Sequence, residues 1–185
     1  DYTPGSEGCG GSFTYDGVSR TLTKLPMLWQ DGGATDISTD GQTIVGSSED
    51  MGMTWRAVRW VNGAIERLDV PGEAQAMGVN TSGTIVGHWG LISGYGAWIW
   101  RPGAGATALD ELVPDTGWRL LEAQGINNRE EIVGRGTKDG EKRAYQLNLG
   151  PCRVCVTDVE LQERDYPTGE WREVVQGACD ALRVD

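Results

Sequence analysis

The four cysteines have the residue type and spacing closest to those of a chemical site. Cys152 and Cys155 are separated by two residues, as in a metal knuckle or a redox pair, and with Cys9 and Cys179 they could form a four-thiolate zinc site. Such zinc sites normally repeat the short spacing, whereas Cys9 and Cys179 stand alone. If Cys152 and Cys155 lie on one strand, they point to opposite faces and cannot easily bond each other. We therefore favour disulfides in which Cys9 and Cys179 each pair with one of them, and an oxidising compartment.

His88 is the single histidine, so a Ser-His-Asp or Cys-His arrangement would have to include it. It follows an Ile-Val-Gly phrase, and two near-copies of that phrase carry Ser47 and Arg135 at the same place. A position that varies in this way is typical of a surface or blade-edge residue. The sequence therefore predicts no catalytic residue here, and no enzyme.

Acidic and amide side chains are concentrated in turns, where they could act as acids or as cation ligands. The candidates for a carboxylate pair are Asp36, Asp40, Asp110 and Glu111. No spacing marks two of them as facing each other, as glycoside hydrolysis requires. The turns "STDGQ" and "NTSG" lack the spaced acidic ligands of a helical calcium loop, and Asp, Asn and Gly are already needed for turn geometry. We expect solvated turns, with no metal and no cofactor.

Eight tryptophans are many for a chain of 185 residues. Three fall on repeated strands, where core packing is expected: Trp60, Trp98 and Trp100. Three others lie outside that set and are the candidate interface residues: Trp89, Trp118 and Trp171. Aromatic side chains at such places can stack on sugars or bury against a protein partner.

Some of these residues, such as Asp36 and His88, lie in a phrase that occurs three times in the chain. The copies are "DISTDGQTIVGSS" from Asp36, "GVNTSGTIVGHW" from Gly78 and "GINNREEIVGRG" from Gly125. Each has the composition of a tight hairpin. Its glycines, Gly46, Gly87 and Gly134, recur at intervals typical of four-stranded propeller blades. Because Gly weakens a strand interior, we expect them where neighbouring backbones approach closely or a strand bends.

Each copy continues with a strand led by alanine and rich in aromatic or apolar residues: "AVRW", "AWIW" and "AYQL". The first two copies then add a turn and one more strand, so a complete unit has four. The sequence predicts an all-β fold, a small β-propeller with four blades of four-stranded antiparallel sheet. Its repeats cover about residues 27–72, 73–120 and 121–149.

The two ends of the repeat region are incomplete. Residues 13–26 match only the second half of a unit, and the third unit shows three strands before the cysteine-containing residues 150–185. Residues 1–12 form an N-terminal arm. We expect a split blade that combines residues 13–26 with C-terminal strands. Those strands either close the ring within the molecule or join a neighbouring copy, because an unpaired strand edge invites pairing.

The repeated phrases resemble the HAF repeat of bacterial proteins, over about Phe13 to Leu149. The third copy, from "LDELVPDTGWRLLEAQGINNREEIVGRG" to "AYQL", is the most similar in wording. Of the usual His-Ala-Phe triplet only the alanine is kept, at Ala57, Ala97 and Ala144. The resemblance implies a propeller-like fold in an extracellular or cell-envelope setting, and it brings neither catalytic residues nor a ligand.

The charge and hydropathy of the chain narrow the class of partner. A net charge of −11 repels nucleic acids and anionic membrane surfaces, and no run approaches 18 apolar residues. Because the chain begins at Asp1 without an apolar leader, we expect a mature form of a secreted protein. We predict an extracellular structural protein that self-assembles. We expect it to bind no nucleic acid and not to insert into a membrane. The alternative is a monomeric module that binds a cell-surface glycan or protein.

Overall fold

The computed structural model describes residues 11–90 and 96–149, together with the backbone of 158–164 and 171–178. The described residues form fifteen strands and one short 3-10 helix, which confirms the prediction of an all-β fold. All the strands pair antiparallel, in four sheets. None of the described helical segments has the length and apolar character needed to cross a membrane.

Every sheet is a meander whose strands follow one another in chain order. The hairpin contains β1 (Phe13–Asp16) and β2 (Thr21–Lys24). The first sheet contains β3 (Gly32–Ile37), β4 (Thr43–Glu49), β5 (Trp55–Val61) and β6 (Ala64–Arg67). The second contains β7 (Ala74–Val79), β8 (Ile85–Trp89), β9 (Gly96–Arg101) and β10 (Gly105–Ala108), and the 3-10 helix Leu109–Leu112 follows it. The third contains β11 (Trp118–Ile126), β12 (Glu131–Lys138), β13 (Glu141–Asn148), β14 (Asp158–Arg164) and β15 (Trp171–Ala178).

The Ile-Val-Gly phrase forms the second strand of each sheet, opposite an irregularity in the register of the first strand. A Cβ atom on the glycine of the phrase would overlap a carbonyl oxygen of that first strand. The pairs are Gly46 with Gly33, Gly87 with Gln75, and Gly134 with Glu122. The two backbones therefore approach so closely that a side chain has no room.

The turn between the first two strands of a sheet is held by its own side chains. The Asn80 side-chain oxygen accepts hydrogen bonds from the amides of Ser82 and Thr84, at 3.1 and 3.0 Å. The Asn80 side-chain amide donates to the carbonyl oxygen of Asn127 in the next turn, at 3.2 Å. The turns thus fix their own shape and also join one sheet to the next.

The apolar core lies between successive sheets. Val45, Ala57 and Leu68 of the first sheet and its exit segment pack with Trp98 and Trp100 of the second. A second cluster joins the second and third sheets. It includes Val86, Ala97, Leu109, Tyr145 and Leu147. The second sheet therefore contributes one face to the core with the first sheet and the other face to the core with the third.

The C-terminal strands do not pair with the hairpin in this structure. β14 pairs with β13 and β15 with β14, so residues 158–178 extend the third sheet. β13 offers the nearest open edge to the chain that leaves it, and consecutive strands usually become neighbours. The expected split blade is therefore not assembled among the described strands, and β1 and β2 remain a two-stranded sheet.

Candidate functional site

The predicted cysteine site lies outside the described residues. This holds for Cys9, Cys152, Cys155 and Cys179, and the side chain of Trp171 at the start of β15 is outside them as well. Within the described part of the chain, no three His, Cys, Asp or Glu side chains come together as metal ligands.

Trp118, a candidate interface residue, lies in the core of the described structure. Its side chain is only 7% exposed and packs in the core between the second and third sheets, edge to face with Tyr145 at a centroid distance of 6.3 Å. Trp89 is partly buried against the core between the first two sheets. Trp29, which the sequence did not single out, is 48% exposed.

His88, expected at the surface or at a blade edge, is not a surface residue, since only 8% of it is exposed. Position 88 is the place where β8 faces the third sheet, and the charges of Glu122 and Arg135 from that sheet act on the imidazole. Burial lowers the pKa of His88, Glu122 raises it, and Arg135 lowers it again. The net direction is downward, which favours the neutral imidazole in the folded protein.

Both the carboxylate and the backbone carbonyl group of Glu122 accept hydrogen bonds from neighbouring side chains. Its carboxylate accepts a hydrogen bond from Arg135, which is the main reason why the pKa of Glu122 is lowered. The Tyr145 hydroxyl donates to the backbone carbonyl oxygen of Glu122 at 3.0 Å, and burial raises the pKa of Tyr145. The lowered pKa keeps the Glu122 carboxylate ionised, so it is a poor proton donor. Arg135 and Tyr145 lie on β12 and β13, so these bonds join three strands of the third sheet.

The candidate acid residues serve as hydrogen-bond acceptors. Asp36 accepts from the amide of Val79 at 2.9 Å, and Asp110 from the amide of Leu120 at 2.6 Å. The Ser38 hydroxyl donates to Asp40 at 2.6 Å and lowers the pKa of that carboxyl. These contacts join turns and strands, and they place no two of the candidates as a facing acid and base.

The open edge of β1 is the structural feature that remains unexplained by packing. The corresponding third strands of the sheets, β5, β9 and β13, are each paired on both sides, whereas β1 pairs only with β2 among the described strands. The Leu25 amide donates to the carbonyl oxygen of Ser12 at 2.8 Å, as the Leu68 amide does to Ala57 at 2.9 Å. The hairpin is therefore the structural equivalent of β5 and β6.

The backbone groups at this edge are available for pairing. In antiparallel strands, hydrogen-bonded and non-bonded residue pairs alternate. Because Ser12 and Leu25 form a bonded pair, Tyr15 and its partner Leu22 form a non-bonded one. The amide and carbonyl groups of Tyr15 consequently point away from β2, towards the side on which β4 pairs with β5.

The missing neighbour of β1 also leaves apolar side chains uncovered. Phe13 and Tyr15 are 53% and 64% exposed, whereas Val58 and Trp60 at the equivalent positions of β5 are buried. Ile37 on β3 is 54% exposed, whereas Val79, its equivalent on β7, is buried in the core with the first sheet. Ile37 lacks cover because the hairpin has no first and second strands to pack against it.

Sequence reasoning identified the half unit but not Ile37. The available signal was its place in the first repeat, the unit whose preceding neighbour is incomplete.

No protein-family model and no curated protein matches the chain.

Proposed function

We propose that this is a non-catalytic, extracellular structural protein that self-assembles head to tail by strand complementation at β1. The observation that carries the proposal is that β1 has an open edge among the described strands, whereas the corresponding strands β5, β9 and β13 are paired on both sides. An exposed edge flanked by Phe13, Tyr15 and Ile37 attracts another strand, because pairing satisfies the backbone and covers apolar surface.

The four-strand meander of the repeats supports a propeller-like arrangement in which each sheet is one blade. On this view the hairpin is half of a blade, and the resemblance to the HAF repeat stays a prediction. The extracellular setting is proposed from that resemblance and from the placement of the cysteines.

The donor strand is proposed to come from the C-terminal part of a second copy. The third sheet has five described strands where the first and second have four, so β15 has no counterpart in them. In the assembly β15 would leave β14, its partner among the described strands, and pair with β1 of the second copy, so the third sheet would keep four strands like the first and second. A contact between two different ends of identical chains is heterologous, and it propagates when it does not close.

The alternative function is a monomeric module that binds a carbohydrate or protein. A cleft of about 280 Å³ between the hairpin and the first sheet favours it. Thr14, Gln42 and Asn62 line this cleft beside Trp60. A donated strand at β1 would lie next to the same cleft, so occupation by a ligand and assembly are competing hypotheses.

The test is to replace single amides on the two edges of the hairpin. Tyr15→Pro removes a donor from the β1 edge, whereas Leu22→Pro removes the facing donor from the outer edge of β2, which corresponds to a free edge in the first two sheets. Both variants lose an apolar side chain from the same face. We expect filaments in electron microscopy from the wild type and from Leu22→Pro, and none from Tyr15→Pro. A wild-type chain that stays monomeric in light scattering, or equal assembly of both variants, would contradict the proposal.

A further inference from the structure

The contact between successive sheets follows one rule. We call the face that meets the preceding sheet the leading face and the face that meets the following sheet the trailing face. Val45 and Ala57 lie on the trailing face of the first sheet and pack with Trp98 and Trp100 on the leading face of the second. Val86 and Ala97 of the second sheet pack in the same way with Tyr145 of the third.

No following sheet covers the trailing face of the third sheet within the described residues. Val133 is the valine of the third Ile-Val-Gly phrase, and it is 46% exposed although Val45 and Val86 are fully buried. Ala144 is exposed as well, whereas Ala57 and Ala97 at the same position are buried. We call the contact between a trailing face and the next leading face a joint. This face carries the residues that form a joint elsewhere, but the described part of the chain contains no following sheet.

The leading face of the hairpin is the complementary open surface. Phe13 and Tyr15 occupy the positions of Trp98 and Trp100, and Leu22 lies beside Tyr15 on the paired strand. The opposite face of the hairpin, with Thr14, lines the cleft towards the first sheet. The aromatic side chains thus point away from the first sheet.

We propose that the trailing face of the third sheet in one copy packs on the leading face of the hairpin in a second copy. This deepens the proposed head-to-tail assembly, on which it rests, by naming the surface that each copy contributes. The contact would be a third occurrence of the joint that the chain already forms twice within itself.

The internal joints indicate which residues would meet. Between the first two sheets, the Arg59 guanidinium lies 4.7 Å from the ring centroid of Trp100. Gln146 holds the place of Arg59 in the third sheet, since it pairs with Val133 as Arg59 pairs with Val45. Tyr15 of the next copy would therefore lie against Gln146, and Phe13 would lie closer to Ala144.

A second copy fits these surfaces better than a different partner does. Both halves of one joint are carried by the same chain, at its two ends, and both are exposed at once. If the chain closed on itself, Val133 and Tyr15 would be covered together. Two complementary and distinct patches on identical subunits give a polar, head-to-tail contact.

The experiment blocks each face separately and then mixes the blocked chains. The variants are Tyr15→Asp on the hairpin and Val133→Asp on the third sheet, with Met51→Asp as the control at an exposed apolar residue elsewhere. The 185-residue chains are compared without reducing agent by sedimentation velocity in about 150 mM salt, which limits repulsion between acidic copies to within roughly 8 Å. Circular dichroism verifies that each variant is folded.

We expect each blocked variant to associate at least tenfold more weakly than the wild type, since an aspartate would be buried without a partner, at a cost of about 1.4 kcal/mol or more. An equal mixture of the two should form heterodimers and no longer species, because only one pair of ends remains competent. Met51→Asp should assemble as the wild type does.

Three results would overturn the inference. Assembly of Val133→Asp at wild-type strength would exclude the third-sheet face while leaving strand complementation at β1 intact. Dimers of Val133→Asp alone would indicate a symmetric contact between two hairpins. A monomeric wild type would remove both this inference and the proposed function.

Discussion

Val45 and Val133 occupy the same position of the same Ile-Val-Gly phrase, yet Val45 is completely buried and Val133 is 46% exposed. Both lie on the second strand of a sheet. The difference is that a following sheet packs over Val45, whereas none of the described residues packs over Val133 in this way. Equivalent residues therefore experience different environments only because of their place in the row of sheets.

This relationship predicts that the same substitution destabilises the protein strongly at position 45 and only slightly at position 133. Val45→Asp would bury a carboxylate among Ala57, Leu68 and Trp98, so we expect a loss of several kcal/mol, comparable with the whole free energy of unfolding. Val133→Asp should change the free energy of unfolding of the monomer by less than about 1 kcal/mol. Urea denaturation of dilute protein measures both. Equal destabilisation would show that Val133 is covered within its own chain.

A second prediction concerns the close approach of backbones at the repeated glycines. Gly87→Ala would drive a Cβ into the carbonyl oxygen of Gln75, and backbone cannot move away as a flexible side chain can. We expect a loss of about 1–3 kcal/mol or more in the free energy of unfolding. Gly33→Ala is the matched control, since a Cβ there meets nothing within 4 Å. Similar urea midpoints for the two variants would contradict the argument.

The all-β class and the four-strand repeat could be predicted because both depend on local patterns. Turn residues, alternation and the interval between Ile-Val-Gly phrases are visible in the sequence, and each repeat does contain a meander of antiparallel strands. The pairing of the C-terminal strands could not be predicted, because two open edges, β13 and β1, were available to them. The short sequence separation favours pairing of the C-terminal strands with β13. The pattern of strand residues alone does not show which of the two edges they will join.

The candidate site was predictable only in part. The half unit was recognised from its own residues, whereas Trp118 and His88 were placed at the surface because they stand beside loops or vary between repeats. Both are buried by the packing of one sheet on another. Contact between sheets is a tertiary property, so a repeat alignment shows which positions are equivalent but not which of them have a neighbour.

The cysteines give a third prediction. We expect Cys9 and Cys179 each to bond Cys152 or Cys155. A thiol titration of the non-reduced protein in denaturant should then find no free thiol, and reduction should release four. A disulfide that closes a loop on the order of 140 residues restrains the unfolded state by about 5 kcal/mol in the chain-entropy model, so reduction should lower the thermal midpoint strongly. Thiols that react without reduction, or zinc released on unfolding, would contradict the assignment.

The last prediction is a dependence of stability on pH that arises from His88. Burial is the main cause that lowers the pKa of His88 below its ordinary value of 6.5. In the unfolded chain this imidazole takes up a proton as the pH falls through 6.5, whereas in the folded protein it resists doing so. The unfolded state then binds more protons, so stability is fully present above pH 6.5 and is lost as the pH falls towards the folded pKa.

Because His88 is the single histidine and carboxyl groups titrate lower, the interval between about pH 7 and pH 5.5 isolates its effect. The free energy of unfolding in urea should fall over that interval by at most about 1.4 kcal/mol per pH unit, the limit for one proton. His88→Gln should remove this dependence while keeping a polar side chain at the joint beside Glu122. If the wild type and His88→Gln lost stability equally on acidification, the imidazole would have to titrate alike in the folded and unfolded states, and its burial between the sheets would not control its charge.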